Sequence, residues 1–510
     1  MKNNLLAVII IALCSSISSA QSSNTEQAHA REMDAYTAKA VREWNAAGLA
    51  IAVVKDGRVV FAKGYGVREI GKPAAVDTST LFAVASTTKA MTAASIGMLV
   101  DEGKLKWDDP VTKFVPSLQL YDPFVTRELT VRDLLTHRAG LGNADYLWDL
   151  DDYSMSEIIP RLKLIKPEYS FRSGFVYQNV MYMLAGEVIA SASGIPWEKF
   201  IATRIFQPIG MNSSVARAAL VPAGANRASP HWRYGGDTLI AISSETAQAI
   251  GPAGGVWSNV SDMSRWMLFL LDSGRISGKR LLHQSTYEEL FKPQVMIPGD
   301  EFYPTMGLTK PHWTTYGLGW FQEDYNGRML NFHTGSLNGM VAIIGLIQDS
   351  RFGVYVLGNT DHVEVRHALM YKAADIFVGG PQRDWSSDLR ALYSKRRARG
   401  DSLRLAQDAK RIIGTRPSLA LSKYTGSYED PLLGRFVVTE KAGKLRIIAG
   451  KQYAGDLEHW QYDTFRIHYD KRWQGTEQVS FTIGDGVPSA LNLAGFSLSR
   501  VSGGGDSATH

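Results

Sequence analysis

The stretch from Leu81 to Leu105, "LFAVASTTKAMTAASIGMLVDEGKL", sets one serine and one lysine three residues apart at the head of an apolar run. Residues at i and i+3 share a helix face, so Ser86 and Lys89 fall together if the run is helical. A first-turn serine has its hydroxyl where the helix dipole favours negative charge, and its own N–H is not used by the helix. A lysine buried among Met91, Ala94 and Leu99 is expected to lose basicity and to take the serine's proton. Alone, the same spacing fits an N-cap followed by a surface lysine, and a chain of 510 residues contains such spacings by chance. The motif needs support from elsewhere in the chain.

Working outward, "GLAIAVVKDGRVVFAKGYGVRE" (48–69) reads as two strands around the turn Lys55-Asp56-Gly57, after a polar lead from Gln21 to about Ala30. Helical patterns are expected over 87–102, over 130–136, and over 180–192 with a stop at Gly194. "GMVAIIGLIQ" (339–348) and "FGVYVLGN" (352–359) return to strand. Strands at both ends with helices between them predict an α+β domain whose sheet joins the two ends. From Gly379-Gly380-Pro381 the composition turns basic, and 386–414 suits a solvated helical connector. Gly400 and Asp401 are expected to break and recap that helix. From about Pro417, short runs such as "RFVVTEKAGKLRIIAG" (435–450) predict an all-β module.

A hydrophobic content of 45% is enough for a large core, and the length favours more than one domain. Residues 1–20 combine Lys2, an apolar stretch from Leu5 to Leu13 and the small end Ser18-Ser19-Ala20, the pattern of a secretory signal cut near Ala20. No later stretch reaches the roughly 20 apolar residues of a membrane-spanning helix, so stable membrane insertion is not expected. The single cysteine, Cys14, falls inside the signal, and Leu13 before it is a poor match to a lipid-attachment site. Cleavage removes Lys2 and no acid, so the net charge of +5 becomes +4, and no nucleic-acid partner is implied.

Two further segments carry chemistry. Tyr177-Gln178-Asn179 stands just before a helix, where a phenol can move a proton and an amide can bind a carbonyl. His333-Thr334-Gly335-Ser336 opens a strand, where Gly335 is expected to let a substrate backbone approach closely and the Ser336 N–H can serve as an oxyanion donor. Other signals are weaker. Gly400-Asp401-Ser402-Leu403 with Asp456 and His459 spells a hydrolase signature in the wrong context, after a basic run rather than an apolar strand. No histidines fall at zinc-ligand spacing, and no phosphate-binding loop is present. The run His459-Trp460-Gln461-Tyr462 reads as core packing before ligand binding.

Around these motifs, "LTVRDLLTHRAGL" (129–141), "YQNVMYMLAGEVI" (177–189) with "IFQPIGM" (205–211), "GPAGGVWSNVSDMSRWMLFLL" (251–271) and "YGLGWF" (316–321) follow in order. The chain from about Ala35 to Phe377 thus resembles the serine β-lactamase and penicillin-binding protein superfamily in its class C-like branch. "YTGSYEDPLLGRFVVTEKAGKLRI" (424–447) with "LEHWQYDTFRI" (457–467) is similar to the lipocalin-like β domain that often follows such domains. The resemblance implies an antiparallel sheet flanked by helices, a helical subdomain and a small C-terminal barrel. The expected divisions are a signal at 1–20, a catalytic domain at 31–380, a connector at 381–416 and the β domain at 417–501.

The resemblance also implies roles. Ser86 becomes the acylated nucleophile, Lys89 its proton partner and Tyr177 the general base or acid. Asn179 binds the substrate amide, His333, Thr334 and Gly335 line the opposite wall, and the N–H groups of Ser86 and Ser336 form the oxyanion hole. No cofactor and no metal are implied. The family's β-lactamases usually carry lysine where this chain has His333, which is largely neutral at pH 7. The expected activity is therefore that of a periplasmic or secreted serine hydrolase acting on a small peptide, amide or ester. A peptidase of the D,D-peptidase or D-aminopeptidase type ranks ahead of a carboxylesterase, a β-lactamase and a penicillin-binding receptor that acylates without turnover.

Overall fold

The structure is a computed structural model, which describes residues 24–150, 153–234, 238–243 and 249–501. The signal-like segment 1–20 and Cys14 lie outside the described residues. The hairpin forms as expected: β1 (Gly48–Lys55) and β2 (Arg58–Gly66) are antiparallel, with positive φ at Asp56 (50°) and Gly57 (82°). Two successive positive φ values match the right-handed twist of the flanking strands, which is why Asp-Gly serves at this turn.

The remaining strands of the main sheet are β3 (Val295–Met296), β4 (Thr314–Tyr316), β5 (Phe321–Tyr325), β6 (Arg328–Leu337), β7 (Met340–Ile347) and β8 (Phe352–Gly358). The eight strands lie in the order β2-β1-β8-β7-β6-β5-β4-β3. The first strand therefore runs beside the last, with Leu49 opposite Gly358, and the sheet joins the two ends of the segment. β1 is buried from Gly48 to Val54, and β7 and β8 are buried throughout. Such continuous apolar strands need cover on both faces. In the register, Gly345 stands opposite Val354 and Gly353 opposite Leu346, so the two glycines look to opposite faces. A Cβ at Gly345 would meet Met370 and one at Gly353 would meet Met267, which places a helix on each face.

A helix α1 covers 24–43, so the stretch expected to be a polar lead up to about Ala30 is helical from residue 24. Met33, Thr37, Ala40 and Val41 are buried at helical spacing. The run opened by Ser86 is a 3₁₀ turn, Ala85–Thr87, leading into α2 (Thr88–Asp101), whose residues from Thr88 to Leu99 are all buried. The expected helix near 130–136 is a single turn, Val131–Leu134, held by a capping box between Thr130 and Asp133. α3 (Asn179–Ser193) ends at the left-handed Gly194. α4 (Val260–Leu271) and α5 (Val365–Ala374) supply Met267 and Met370. α6 (Trp385–Asp408) runs unbroken through Gly400 and Asp401, correcting the expected break, since one glycine costs a long helix only about 1 kcal/mol.

The C-terminal strands are β9 (Gly426–Asp430), β10 (Gly434–Lys441), β11 (Lys444–Ala449), β12 (Tyr453–Gln461), β13 (Thr464–Tyr469), β14 (Thr476–Gly484), β15 (Val487–Leu493) and β16 (Phe496–Val501). They pair in sequence and β9 closes on β16, so the sheet has no edge left to pair with another chain. Alternate residues such as Phe436, Val438, Ile447, Phe465 and Leu498 fill its interior. Trp460 packs under two guanidinium groups, Arg466 at 3.6 Å and Arg411 at 4.2 Å, so the aromatic run is structural there. Ser402 lies within α6 and donates to the Ala398 carbonyl at 2.8 Å.

The chain divides into two compact units. One comprises the chain up to Asp101, Glu198–Ser244 and Gly254–Leu392, and holds the main sheet. The other comprises Glu102–Trp197, Glu245–Ala253 and the chain from Tyr393 onward, so it holds the helical lobe and the barrel together.

Candidate active site

In the first unit the serine stands on a turn with one unusual residue. Ala85 has φ of +48°, a left-handed conformation that costs a residue with a Cβ about 1–3 kcal/mol unless its surroundings enforce it. Its neighbours do so. Thr87 Oγ1 donates to the Val84 carbonyl at 2.8 Å and meets the Tyr355 hydroxyl at 2.5 Å. No side chain caps this turn, so Ser86 is not an N-cap. Instead Lys89 Nζ donates to Ser86 Oγ at 3.1 Å, and Lys89 is fully buried. A serine bonded to a buried lysine amine is the arrangement an activated nucleophile needs.

Beside this turn runs β6. β5 stops pairing at Phe332, so His333 to Leu337 pair with β7 alone. The close approach seen at Gly335 is not that of a substrate, as expected, but of the chain's own backbone. A Cβ there would lie 2.3 Å from the Val84 carbonyl and 3.1 Å from the Ser86 nitrogen. Gly335 thus brings the Ser86 and Ser336 segments together as two oxyanion donors would require. Gly335→Ala is expected to push β6 from the turn and cut the rate of Ser86 acylation about a hundredfold, the usual cost of an ångström-scale misplacement. Time-resolved labelling with a fluorophosphonate checks this; an unchanged rate would mean the spacing is irrelevant.

His333 is buried, with Nδ1 2.6 Å from the Thr334 carbonyl and Nε2 2.9 Å from the Tyr316 hydroxyl. A carbonyl only accepts, so Nδ1 carries the proton and Nε2 accepts from Tyr316. Burial, and then the nearby Lys89 charge, lower the His333 pKa to about 3, so the ring is neutral throughout the working range. Thr334 Oγ1 meets the Tyr303 hydroxyl at 2.6 Å, and burial pushes that phenol up to about 12.

Sequence reasoning missed Arg366. This buried guanidinium donates to the Gly335 carbonyl and, at 2.9 Å, to Ser336 Oγ. The Gly335 carbonyl and the Ser336 N–H belong to one peptide group, so a cation on the oxygen polarises the candidate donor. Glu364 pairs with Arg366 at 3.0 Å and accepts from His367 at 2.8 Å. Burial pushes the Glu364 carboxyl up, but Arg366 and His367 outweigh it and hold it well below the usual range. Arg366 stands on α5, far along the chain from the strand it serves, so only the fold brings it there.

The second unit carries Tyr177 and Asn179. Tyr177 is half-buried with its hydroxyl out of solvent, and its ring lies 4.4 Å from that of His137. His137 Nδ1 accepts from the Gln178 N–H at 3.0 Å, which fixes the ring beneath the tyrosine. The turn bearing His137 is tied by Asp133, which binds Arg138 at 2.7 Å, Arg172 at 2.6 Å and the Thr130 N–H at 3.0 Å. Burial raises the Asp133 carboxyl, yet these donors win and lower it. Asn179 opens α3 and donates to Asp145 Oδ1 at 2.9 Å, while Gln178 donates to the Leu141 carbonyl at 2.7 Å. His137 falls within the family-like segment 129–141, whereas Asp145 has no signal beyond its loop.

Among the described residues no group of His, Cys, Asp or Glu is arranged to hold a metal ion, and no helix is long and apolar enough to cross a membrane.

Residues 33–377 match the beta-lactamase family model, and 410–502 match a domain of unknown function, DUF3471. The chain is 25% identical over 410 residues to "Unguisins hydrolase ungD'" of Aspergillus campestris, covering 76% of this chain and 73% of that protein. It is 25% identical over 319 residues to "Protein flp" of Staphylococcus aureus, covering 61% of this chain and 59% of that one. Among solved structures it resembles the octameric penicillin-binding protein homologue from Pyrococcus abyssi, with a TM-score of 0.59, 22% identity, and 92% and 99% of the two chains covered. It also resembles SurE, solved with D-Leu, at a TM-score of 0.54 and 18% identity, covering 93% of this chain and 100% of that one. With the sheet, the barrel and the Ser86–Lys89 pair in place, this chain belongs to the beta-lactamase family and is a hydrolase of the serine β-lactamase and penicillin-binding protein fold.

Proposed function

We propose that the chain is a periplasmic or secreted serine peptidase or amidase of the D,D-peptidase or D-aminopeptidase type, working through an acyl-enzyme on Ser86. The observation that carries this reading is the 3.1 Å bond from the buried Lys89 Nζ to Ser86 Oγ. Ser86 Oγ attacks the substrate carbonyl carbon, and its proton passes to the basic group beside it. The tetrahedral oxyanion rests on the N–H groups of Ser86 and Ser336. The C–N bond then breaks, the amine leaves with that proton, and an ester remains on Ser86. Water adds to the ester carbonyl and releases the acid. In this reading Tyr177 carries the proton to the leaving amine and from the incoming water, and Asn179 binds the acyl-side amide. The divisions proposed are a signal at 1–20, a catalytic domain at 31–380, a connector at 381–416 and the β domain at 417–501.

A neutral His333 supplies no fixed positive charge for a substrate carboxylate, which ranks a carboxylate-bearing β-lactam below an amide or peptide held without that charge. A D-amino-acid substrate also agrees with the structural neighbour SurE having been solved with D-Leu. The test incubates wild type and Ser86→Ala with short D-amino-acid peptides, p-nitrophenyl esters and a chromogenic cephalosporin. Turnover of the peptides by the wild type alone supports the proposal. Preference for the esters makes the enzyme a carboxylesterase, preference for the cephalosporin a β-lactamase, and stoichiometric acylation without turnover a receptor.

A further inference from the structure

The C-terminal barrel packs against a segment of the helical lobe that leads to Asn179. The short helix Tyr146–Asp149 follows Asp145, whose N–H is held by Asn143 Oδ1 at 2.9 Å. On one side, Asp145 Oδ1 accepts from Asn179 Nδ2 and from Trp148 Nε1, both at 2.9 Å. On the other side the segment belongs to the barrel. Tyr146 and Leu150 pack against the barrel's interior cluster, and the Tyr146 ring lies 5.2 Å from that of Phe496 on β16. The Leu150 carbonyl accepts from the Gln452 N–H at 3.3 Å, and Tyr453 at the start of β12 donates its hydroxyl to Asp149 Oδ2. Three residues on, the buried Tyr153 donates to the Leu433 carbonyl at 3.3 Å, and a Cβ on Gly434 would collide with its hydroxyl.

We infer that the C-terminal barrel is the mount of residues 143–150 and of Tyr153, and that through Asp145 it orients Asn179 and so sets selectivity for substrates bearing an amide on the acyl side. The barrel's stiffness is what fixes the loop. A loop of this length carries many conformations, and ordering it costs about 1–2 kcal/mol per residue. A closed barrel is a rigid element, and it offers the loop apolar pockets for Tyr146 and Leu150 and polar partners for Asp149 and Leu150. The Asp149 carboxyl is buried enough to be pushed up, so its bond to Tyr453 is not a solvent-screened surface contact. An asparagine held at its amide nitrogen by a fixed carboxylate presents its carbonyl oxygen in one direction. That oxygen can accept from an acyl-side N–H and offers nothing to a plain acyl chain. Tyr453 is therefore a positioning residue acting through Asp149, Asp145 and Asn179.

This inference rests on the serine-hydrolase reading, and its test keeps the two apart. Two thioesters with the same leaving group are compared in the full-length protein: N-acetyl-D-alanyl, which has an acyl-side amide, and propionyl, which lacks it. The readout is the ratio of their kcat/KM values. Tyr453→Phe is expected to lower the ratio about fivefold through the amide substrate alone, with fluorophosphonate labelling of Ser86 at the wild-type rate. Asn179→Ala should lower the ratio further, and adding Tyr453→Phe to it should change nothing more. An unchanged ratio in Tyr453→Phe or in Asn179→Ala, equal losses on both thioesters, or independent effects in the double variant would overturn the inference. Labelling of Ser86→Ala at another serine would instead remove the hydrolase reading itself.

Discussion

Lys89→Met is expected to lower kcat/KM by about a thousandfold while leaving the protein at least as thermostable. The rate loss follows from removing the amine that lies 3.1 Å from Ser86 Oγ, since a positioned proton acceptor contributes about 10²–10⁴-fold. The unchanged or raised stability follows from burial. Lys89 is fully out of solvent in a helix buried from Thr88 to Leu99, and its charge helps to depress the pKa of His333. Replacing such a group by an apolar side chain of similar volume is often neutral or stabilising. Kinetics with a p-nitrophenyl ester and a thermal melt check the two halves together. A large fall in melting temperature would mean that Lys89 is retained for structure.

The second large effect is on stability. Asp133→Asn is expected to cost about 3–5 kcal/mol at pH 7, because it leaves Arg138 and Arg172 without their buried partner. The sign of the pH dependence follows from the lowered folded-state pKa. The stabilisation from this carboxylate is present above the unfolded value of about 3.9 and is lost as pH falls through the lower folded value. The melting-temperature gap between wild type and Asp133→Asn should thus stay open from pH 7 to about 5 and close on further acidification. A gap that does not depend on pH would mean that shape, not charge, holds this turn. The variant should also lose activity, because the same turn carries His137 under Tyr177.

What the sequence made legible was local. The strand patterns of β1, β2, β7 and β8 and the i, i+3 spacing of Ser86 and Lys89 need only a few residues to read, and they hold in the structure. The Gly194 stop of α3 is legible for the same reason. Long-range placements were not. Nothing near Ala85 in sequence signals its positive φ, which is imposed by Tyr355 and the strand behind it. Gly335 is legible as a close approach, but the approaching chain is about 250 residues away in sequence, from Val84 to Ser86. Arg366 and Asp145 act on residues more than 30 positions away, so no window shows them. α1 is not legible although Met33, Thr37, Ala40 and Val41 are correctly spaced, because its opening residues are polar and mostly exposed. The break expected at Gly400 failed because one glycine in a long, solvated helix costs only about 1 kcal/mol.

The central claim is that Ser86 is the residue acylated, and one measurement addresses it directly. The wild-type protein is mixed with a p-nitrophenyl ester, quenched in acid within the first turnover, digested and mapped by mass spectrometry. One acyl group is expected on the peptide containing Ser86, and none on that peptide from Ser86→Ala under the same conditions. An adduct on any other serine, Ser402 included, or an acyl-enzyme that forms at the wild-type rate in Ser86→Ala, would contradict it.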